Sequence, residues 1–181
     1  MHDAARLLLL AVAIGAGATL AMDLWGLAQK HWLGMKPLDS GMVGRWLGHM
    51  PRGRFRHEAI GQAPAIPVER LIGWTAHYVT GIVFAAVLLA VWGPQWACRP
   101  TIGPALIVGL ASVVFPFLLM QPGMGAGIAA RRTPKPGVAR LRSVVTHGVF
   151  GLGLYASARL MLVLNGALAG SQIGLPGFCG A

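Results

Sequence analysis

Four long apolar stretches constrain this chain more than any other feature of its sequence. They cover about residues 4–29, 71–93, 102–121 and 143–165, and each contains only a few polar side chains. A helix needs roughly 20 apolar residues to cross a bilayer core about 30 Å thick. The stretches are continuously apolar and lack the alternation of lipid-facing strands, which argues against a β-barrel. The sequence therefore predicts an all-α membrane protein with four transmembrane helices.

Composition predicts that residues 1–181 form a single integral-membrane domain. Hydrophobic residues make up 55% of the chain and charged residues 11%, whereas about a quarter of an average soluble domain is charged. The high apolar content excludes a disordered chain, and so few charges argue against a soluble globule. The first stretch resembles a signal peptide, but its apolar pattern continues through Ala28, so we predict an uncleaved span.

The basic residues predict the topology. Two long loops hold most of them, seven between the first two stretches and five between the last two: Lys30, Lys36, Arg45, Arg52, Arg54, Arg56 and Arg70, then Arg131, Arg132, Lys135, Arg140 and Arg142. The positive-inside rule places both loops in the cytoplasm and both termini outside. The net charge of +10 is then explained by topology and by contact with anionic lipids. Because no soluble basic domain is present, we expect no nucleic-acid partner.

The first cytoplasmic loop is predicted to contain an amphipathic helix. Apolar residues recur at helical spacing over residues 38–50, and either Asp39 or Ser40 is a suitable N-cap. The basic run PRGRFRH follows directly. This pattern is typical of a helix that lies in the membrane interface. A helix packed across the mouth of the bundle is the alternative that the sequence leaves open.

Polar residues inside the apolar stretches define a candidate site. The second and fourth stretches share the pattern His-x-Val-x-Gly, at His77 and His147, which suggests a duplicated pair of helices. Asp23 is predicted at a similar depth, and Met120 and Gln121 end the third stretch on the same side. Ionisable groups within a span are candidates for function because burying them in lipid costs free energy. We expect these five residues to converge in the cytoplasmic third of the bundle.

Several chemistries fit this cluster, and the sequence requires no cofactor. Asp23, His77 and His147 could relay protons or hold a divalent metal, and the two histidines could ligate a haem iron. A purely structural hydrogen bond from one histidine to Asp23 explains the same residues equally well. Cys98 and Cys179 are both predicted on the outer side, where they are candidates for a disulfide.

Five segments carry a resemblance to a known family. They read GAGATLAMDLWG, LDSGMVGRWLGHMPRGRFRH, GWTAHYVTGI, PFLLMQPGMGAGIAA and LRSVVTHGVFGLGLY. From about Ala11 to Tyr155 the chain resembles an uncharacterised bacterial membrane-protein family, domain of unknown function 2938. The resemblance implies a bacterial inner-membrane protein of about four helices, and it implies no activity.

Three functions compete at this point. The first is transport or permeation of a cation, a proton or a small solute through the Asp/His cluster, in which case a homodimer is expected because four helices rarely enclose a wide path. The second is a non-catalytic accessory protein that assembles with another membrane protein, and the third is a haem-binding redox protein. An enzyme is the least supported class because the chain lacks the known catalytic motifs. Lipid chemistry by His49 or His57 at the cytoplasmic surface is the enzymatic alternative that the residues allow.

Overall fold

Four helices in the structure are long and apolar enough to cross a membrane. The structure is a computed structural model that describes residues 2–35 and 39–168, and every regular element in those ranges is helical. The four spans are Ala4–Leu33, Glu69–Trp92, Ile102–Met124 and Pro136–Asn165. Their length and composition mark the chain as a membrane protein and confirm the four predicted spans. The first and fourth helices extend further towards the basic loops than the apolar stretches alone indicated.

The helices that build these spans are α1 (His2–Leu33), α3 (Glu69–Trp92), the interrupted pair α4 (Ile102–Ala111) and α5 (Gln121–Met124), and α6 (Pro136–Leu168). A shorter helix, α2 (Ser40–His49), lies in the first long loop. Short 3-10 turns occupy Met50–Arg52, Ile60–Gln62, Pro94–Cys98 and Ile128–Ala130. Cys98 lies in the third of these turns, whereas its predicted disulfide partner Cys179 lies outside the described residues.

The third span is broken next to Pro116, a residue type that allows a kink. Pro116 has no N–H group and cannot donate to the carbonyl four residues earlier. That carbonyl belongs to Ser112, and it accepts instead from the backbone N–H of Phe115 at 3.1 Å. The chain then forms a π turn over Pro116–Met120 before α5 begins. Ser112, the buried residue at the end of α4, belongs to the site described below.

The four spans pack through small residues. Helix α1 contacts both α3 and α6, and α6 also contacts α4. A methyl group added at Gly15 would lie 2.5 Å from Cα of Ile82, so α1 and α3 touch through their backbones. Glycine at such a crossing allows the close approach on which helix association in lipid depends. Ile14, Leu88 and Leu154 are fully buried between the helices and form the centre of the core.

Residues 39–68, here called the cap, pack against the end of the bundle where α3 begins, here called the basic end. Of the two predicted N-cap residues, Asp39 and Ser40, Asp39 is the N-cap of α2. Its side chain accepts a hydrogen bond from Gly41 N at 2.8 Å. Gly44 of α2 lies directly on the backbone of Glu69, the first residue of α3.

Arg45 donates two hydrogen bonds to the Glu69 carboxylate, at 2.8 and 2.9 Å. This hydrogen bonding raises the pKa of Arg45 above its ordinary value. The cap is therefore held by contacts with the protein itself.

Candidate functional site

Two of the predicted site residues meet at a direct hydrogen bond. Asp23 of α1 accepts from Nε2 of His77 of α3 at 3.0 Å through Oδ1. Its other oxygen, Oδ2, accepts from the hydroxyl of Tyr78, also at 3.0 Å. All three side chains are partly buried. The Asp23 carboxylate thus joins an imidazole and a phenol inside two membrane spans.

Aromatic rings surround this carboxylate. Trp74, one turn before His77, packs edge-on against the imidazole, with ring centroids 6.0 Å apart. It also lies 6.1 Å from the ring of Tyr78. Sequence reasoning missed both aromatic residues. The spacing of Trp74 and His77 is a usable signal, because residues three apart share a helix face. Tyr78 gave no such signal, since adjacent residues on a helix point about 100° apart.

His147 of α6, the other span histidine, is paired with Ser112 of α4. Its Nδ1 lies 2.7 Å from Oγ of Ser112. The Ser112 hydroxyl donates its proton to the carbonyl of Gly109 at 2.6 Å, so it accepts from Nδ1–H of His147. In a neutral imidazole the remaining lone pair is then on Nε2. Ser112 is buried, and its hydroxyl is not among the site residues that the sequence predicted.

The two histidines occupy equivalent places in two helix pairs. His77 lies four residues before Gly81, which approaches Thr19 of α1 closely. His147 lies four residues before Gly151, where an added methyl group would be 2.9 Å from the carbonyl oxygen of Ala105. In both pairs the glycine forms the helix crossing, and the histidine one turn away bonds to a polar side chain of the preceding span. These contacts add a structural parallel to the His-x-Val-x-Gly repeat, although the bonded residues of the preceding spans, Asp23 and Ser112, differ.

The remaining predicted site residues end the third span. Met120 closes the π turn and Gln121 begins α5. Oε1 of Gln121 is buried without a hydrogen-bond partner in the described part of the chain. Among the described side chains, no group of three or more His, Cys, Asp or Glu residues is placed to hold a metal ion. The structure thus joins Asp23 with His77, whereas the side chain of His147 bonds to Ser112.

A second histidine pair lies in the cap. Nε2 of His49 donates to the carbonyl of Pro64 at 3.1 Å, so its Nδ1 accepts from Nε2 of His57 at 2.9 Å. The side chains are only 4% and 8% exposed. The folded loop encloses both rings, which argues against the lipid chemistry that the residues allowed for His49 or His57 at the cytoplasmic surface. Nδ1 of His57 is buried and has no hydrogen-bond partner among the described residues.

Comparison with known proteins assigns the chain to a family. No curated protein and no solved structure matches it. One family model does match, over residues 12–161, which is most of the chain and includes Asp23, both span histidines and the cap. The chain belongs to the family described as "Protein of unknown function (DUF2938)".

Proposed function

We propose that this protein conducts protons, or a small cation exchanged for them, through the membrane spans by way of Asp23 and His77. The observation that carries the proposal is the Asp23 carboxylate, which accepts from His77 and Tyr78 at 3.0 Å each within two spans. Ionisable groups are rare in such a position and are commonly part of ion or proton pathways.

The geometry of the pair allows a proton to pass. Histidine is the side chain whose charge changes most readily near neutral pH. When His77 accepts a proton at Nδ1, the proton on Nε2 is free to move along the existing 3.0 Å hydrogen bond to Oδ1 of Asp23. The hydroxyl of Tyr78 holds Oδ2 and keeps the carboxylate oriented towards the imidazole. Nothing but a proton changes place in this step.

The second helix pair supports the same function. His147 occupies the position that corresponds to His77, and its Nδ1–H donates to Ser112. This bond fixes the ring and leaves Nε2 as the nitrogen that accepts a proton. His147 therefore provides a second fixed imidazole in the bundle that can hold a proton. The bacterial inner membrane, with both long loops in the cytoplasm, is the location that we propose with it.

Proton flux in vesicles tests the proposal. The full chain is reconstituted into liposomes that contain a pH-sensitive dye, and a potassium diffusion potential drives protons inward. We expect flux above that of protein-free liposomes, and a loss of at least about tenfold in Asp23→Asn, which keeps the size of the side chain and removes its charge. Tyr78→Phe should reduce the flux less, because it removes an orienting bond and leaves the carboxylate.

Tyr155→Phe is the matched control for Tyr78→Phe, because it removes the same hydroxyl from α6 without touching Asp23. Its flux should equal that of the wild type. Thermal unfolding of each variant shows whether the protein is still folded. A folded Asp23→Asn protein with wild-type flux would overturn the proposal. Wild-type flux equal to that of protein-free liposomes would also overturn it and would favour the accessory-protein alternative.

A further inference from the structure

The two basic loops meet at one surface. The backbone N–H of His57 in the cap donates to the carbonyl of Gly123 at 2.9 Å. Gly125 lies against the same strip of chain, where an added methyl group would be 3.0 Å from the His57 carbonyl oxygen. Trp46 packs on Gly123 and donates from Nε1 to the carbonyl of Phe55 at 2.9 Å. Two loops that are far apart in sequence are therefore joined by backbone contacts.

This joining brings the arginine-bearing segments of both loops to the same end of the bundle. We call the set the basic surface, and it consists of five exposed side chains: Arg52, Arg54, Arg56, Arg131 and Arg132. Within the part of the chain that the structure describes, their guanidinium groups form no hydrogen bond or ion pair. The exposed acid between them in the chain is Glu58. The surface thus has a strong net positive charge that the protein does not neutralise.

Exposed apolar side chains are set among these arginines. Phe55, between Arg54 and Arg56, is 60% exposed, and Ile128 of the other loop is 48% exposed. An aromatic ring flanked by bases is typical of a segment that inserts into the headgroup region of a bilayer. Arginine also binds phosphate with two parallel hydrogen bonds, which a single lysine cannot do. A soluble acidic partner would explain the charges but not the apolar side chains between them.

We propose that the basic surface binds the headgroup of an anionic phospholipid, with Phe55 and Ile128 inserted beside it. The arginines of the two loops bind the phosphate together, so the site exists only while the loops are docked. The surface lies at the basic end, where α3 and α6 begin and where lipid headgroups of one leaflet would meet a bundle of this length. This inference concerns a different part of the molecule from the proposed proton path.

Titration with short-chain lipids tests the proposal on the full, detergent-purified chain. The probes are dioctanoyl phosphatidylglycerol, dioctanoyl phosphatidylcholine and inorganic phosphate, and binding is followed by thermophoresis. We expect the phosphatidylglycerol to bind more tightly than the other two probes. Arg54→Gln/Arg56→Gln/Arg131→Gln should raise its dissociation constant at least about tenfold, because each base near an anionic lipid contributes to attraction.

The matched control removes three exposed bases elsewhere, in Lys30→Gln/Arg99→Gln/Arg159→Gln, and it should bind as the wild type does. Equal loss in both triple variants would overturn the proposal, because it would mean that only net charge matters. Equal affinity for the two lipids, or equal affinity for inorganic phosphate, would overturn it as well. Far-UV circular dichroism and the melting temperature confirm that each variant is folded.

Discussion

The crossing of α4 and α6 depends on Gly109, and replacing this residue with alanine tests that dependence. The added methyl group would lie 2.6 Å from the backbone nitrogen of Gly151 and 2.8 Å from the carbonyl oxygen of His147. Carbon atoms in contact are normally about 3.5–4.0 Å apart, so the two helices would have to separate by roughly 1 Å. No side chain is available to move instead, because both neighbouring atoms belong to a helix backbone.

The expected cost follows from that separation. Overpacking of a well-packed interior costs about 1–3 kcal/mol, and we expect Gly109→Ala to lower the free energy of unfolding by this amount. Gly148→Ala is the matched control at the same helix pair, because its methyl group would meet only Cδ2 of Leu110 at 3.8 Å. Alanine is favoured over glycine within a helix by up to about 1 kcal/mol. The control should therefore be neutral or slightly more stable than the wild type.

Unfolding in mixed micelles, followed by tryptophan fluorescence, measures both variants against the wild type. The separation of the helices should also break the 2.7 Å bond from His147 to Ser112. An imidazole signal of His147 that shifts in nuclear magnetic resonance spectra of Gly109→Ala, and not in those of Gly148→Ala, would report this loss. If Gly109→Ala were as stable as Gly148→Ala, the close approach of the two backbones would be refuted.

Three further predictions concern the cap and Cys98. His49→Ala should lower the free energy of unfolding by about 1–3 kcal/mol, because it leaves the Pro64 carbonyl and the His57 imidazole without their partner. Chemical denaturation measures this change. The control is His31→Ala at an exposed position, which should change the free energy of unfolding by less than about 0.5 kcal/mol. Arg45→Lys should lower the melting temperature, because lysine lacks the two-pronged geometry that bonds the Glu69 carboxylate. Arg45→Met should lower it further, because methionine carries no charge. Equal melting temperatures for the wild type and both variants would contradict the role given to this ion pair. Cys98→Ser should abolish any mobility difference between reducing and non-reducing gels, and a wild-type chain without such a difference would rule out the predicted disulfide.

Local features of the fold were predictable because local chemistry sets them. The length and hydropathy of a membrane span follow from bilayer thickness and can be read from about 20 consecutive residues. Asp39 caps α2 as one of two predicted alternatives, because a short acidic side chain there bonds the first turn. Pro116 breaks the third span because it has no N–H group to donate, whatever surrounds it.

Part of the candidate site was also predictable. Asp23 and His77 were expected together because depth along a helix follows from counting residues at 1.5 Å each, and they form a hydrogen bond. The partner of His147 was not predictable, since Asp23, Ser112 and other polar groups lie at comparable depths. The rotation and crossing of the helices decided it, because the break before Pro116 and the contact at Gly109 place the Ser112 hydroxyl against the ring.

What the sequence by itself determined is therefore the number of spans, their approximate positions and the polar residues within them for which a bonded partner is expected. Each of these depends on a run of neighbouring residues and on the bilayer. Only the tertiary structure decided which polar groups bond to one another. His49 and His57 are buried because the loop that joins them folds back over both rings, and two loops that are distant in sequence are joined by a bond from His57 to Gly123. Such pairings depend on where backbones cross in space, and no local pattern in the chain encodes that position.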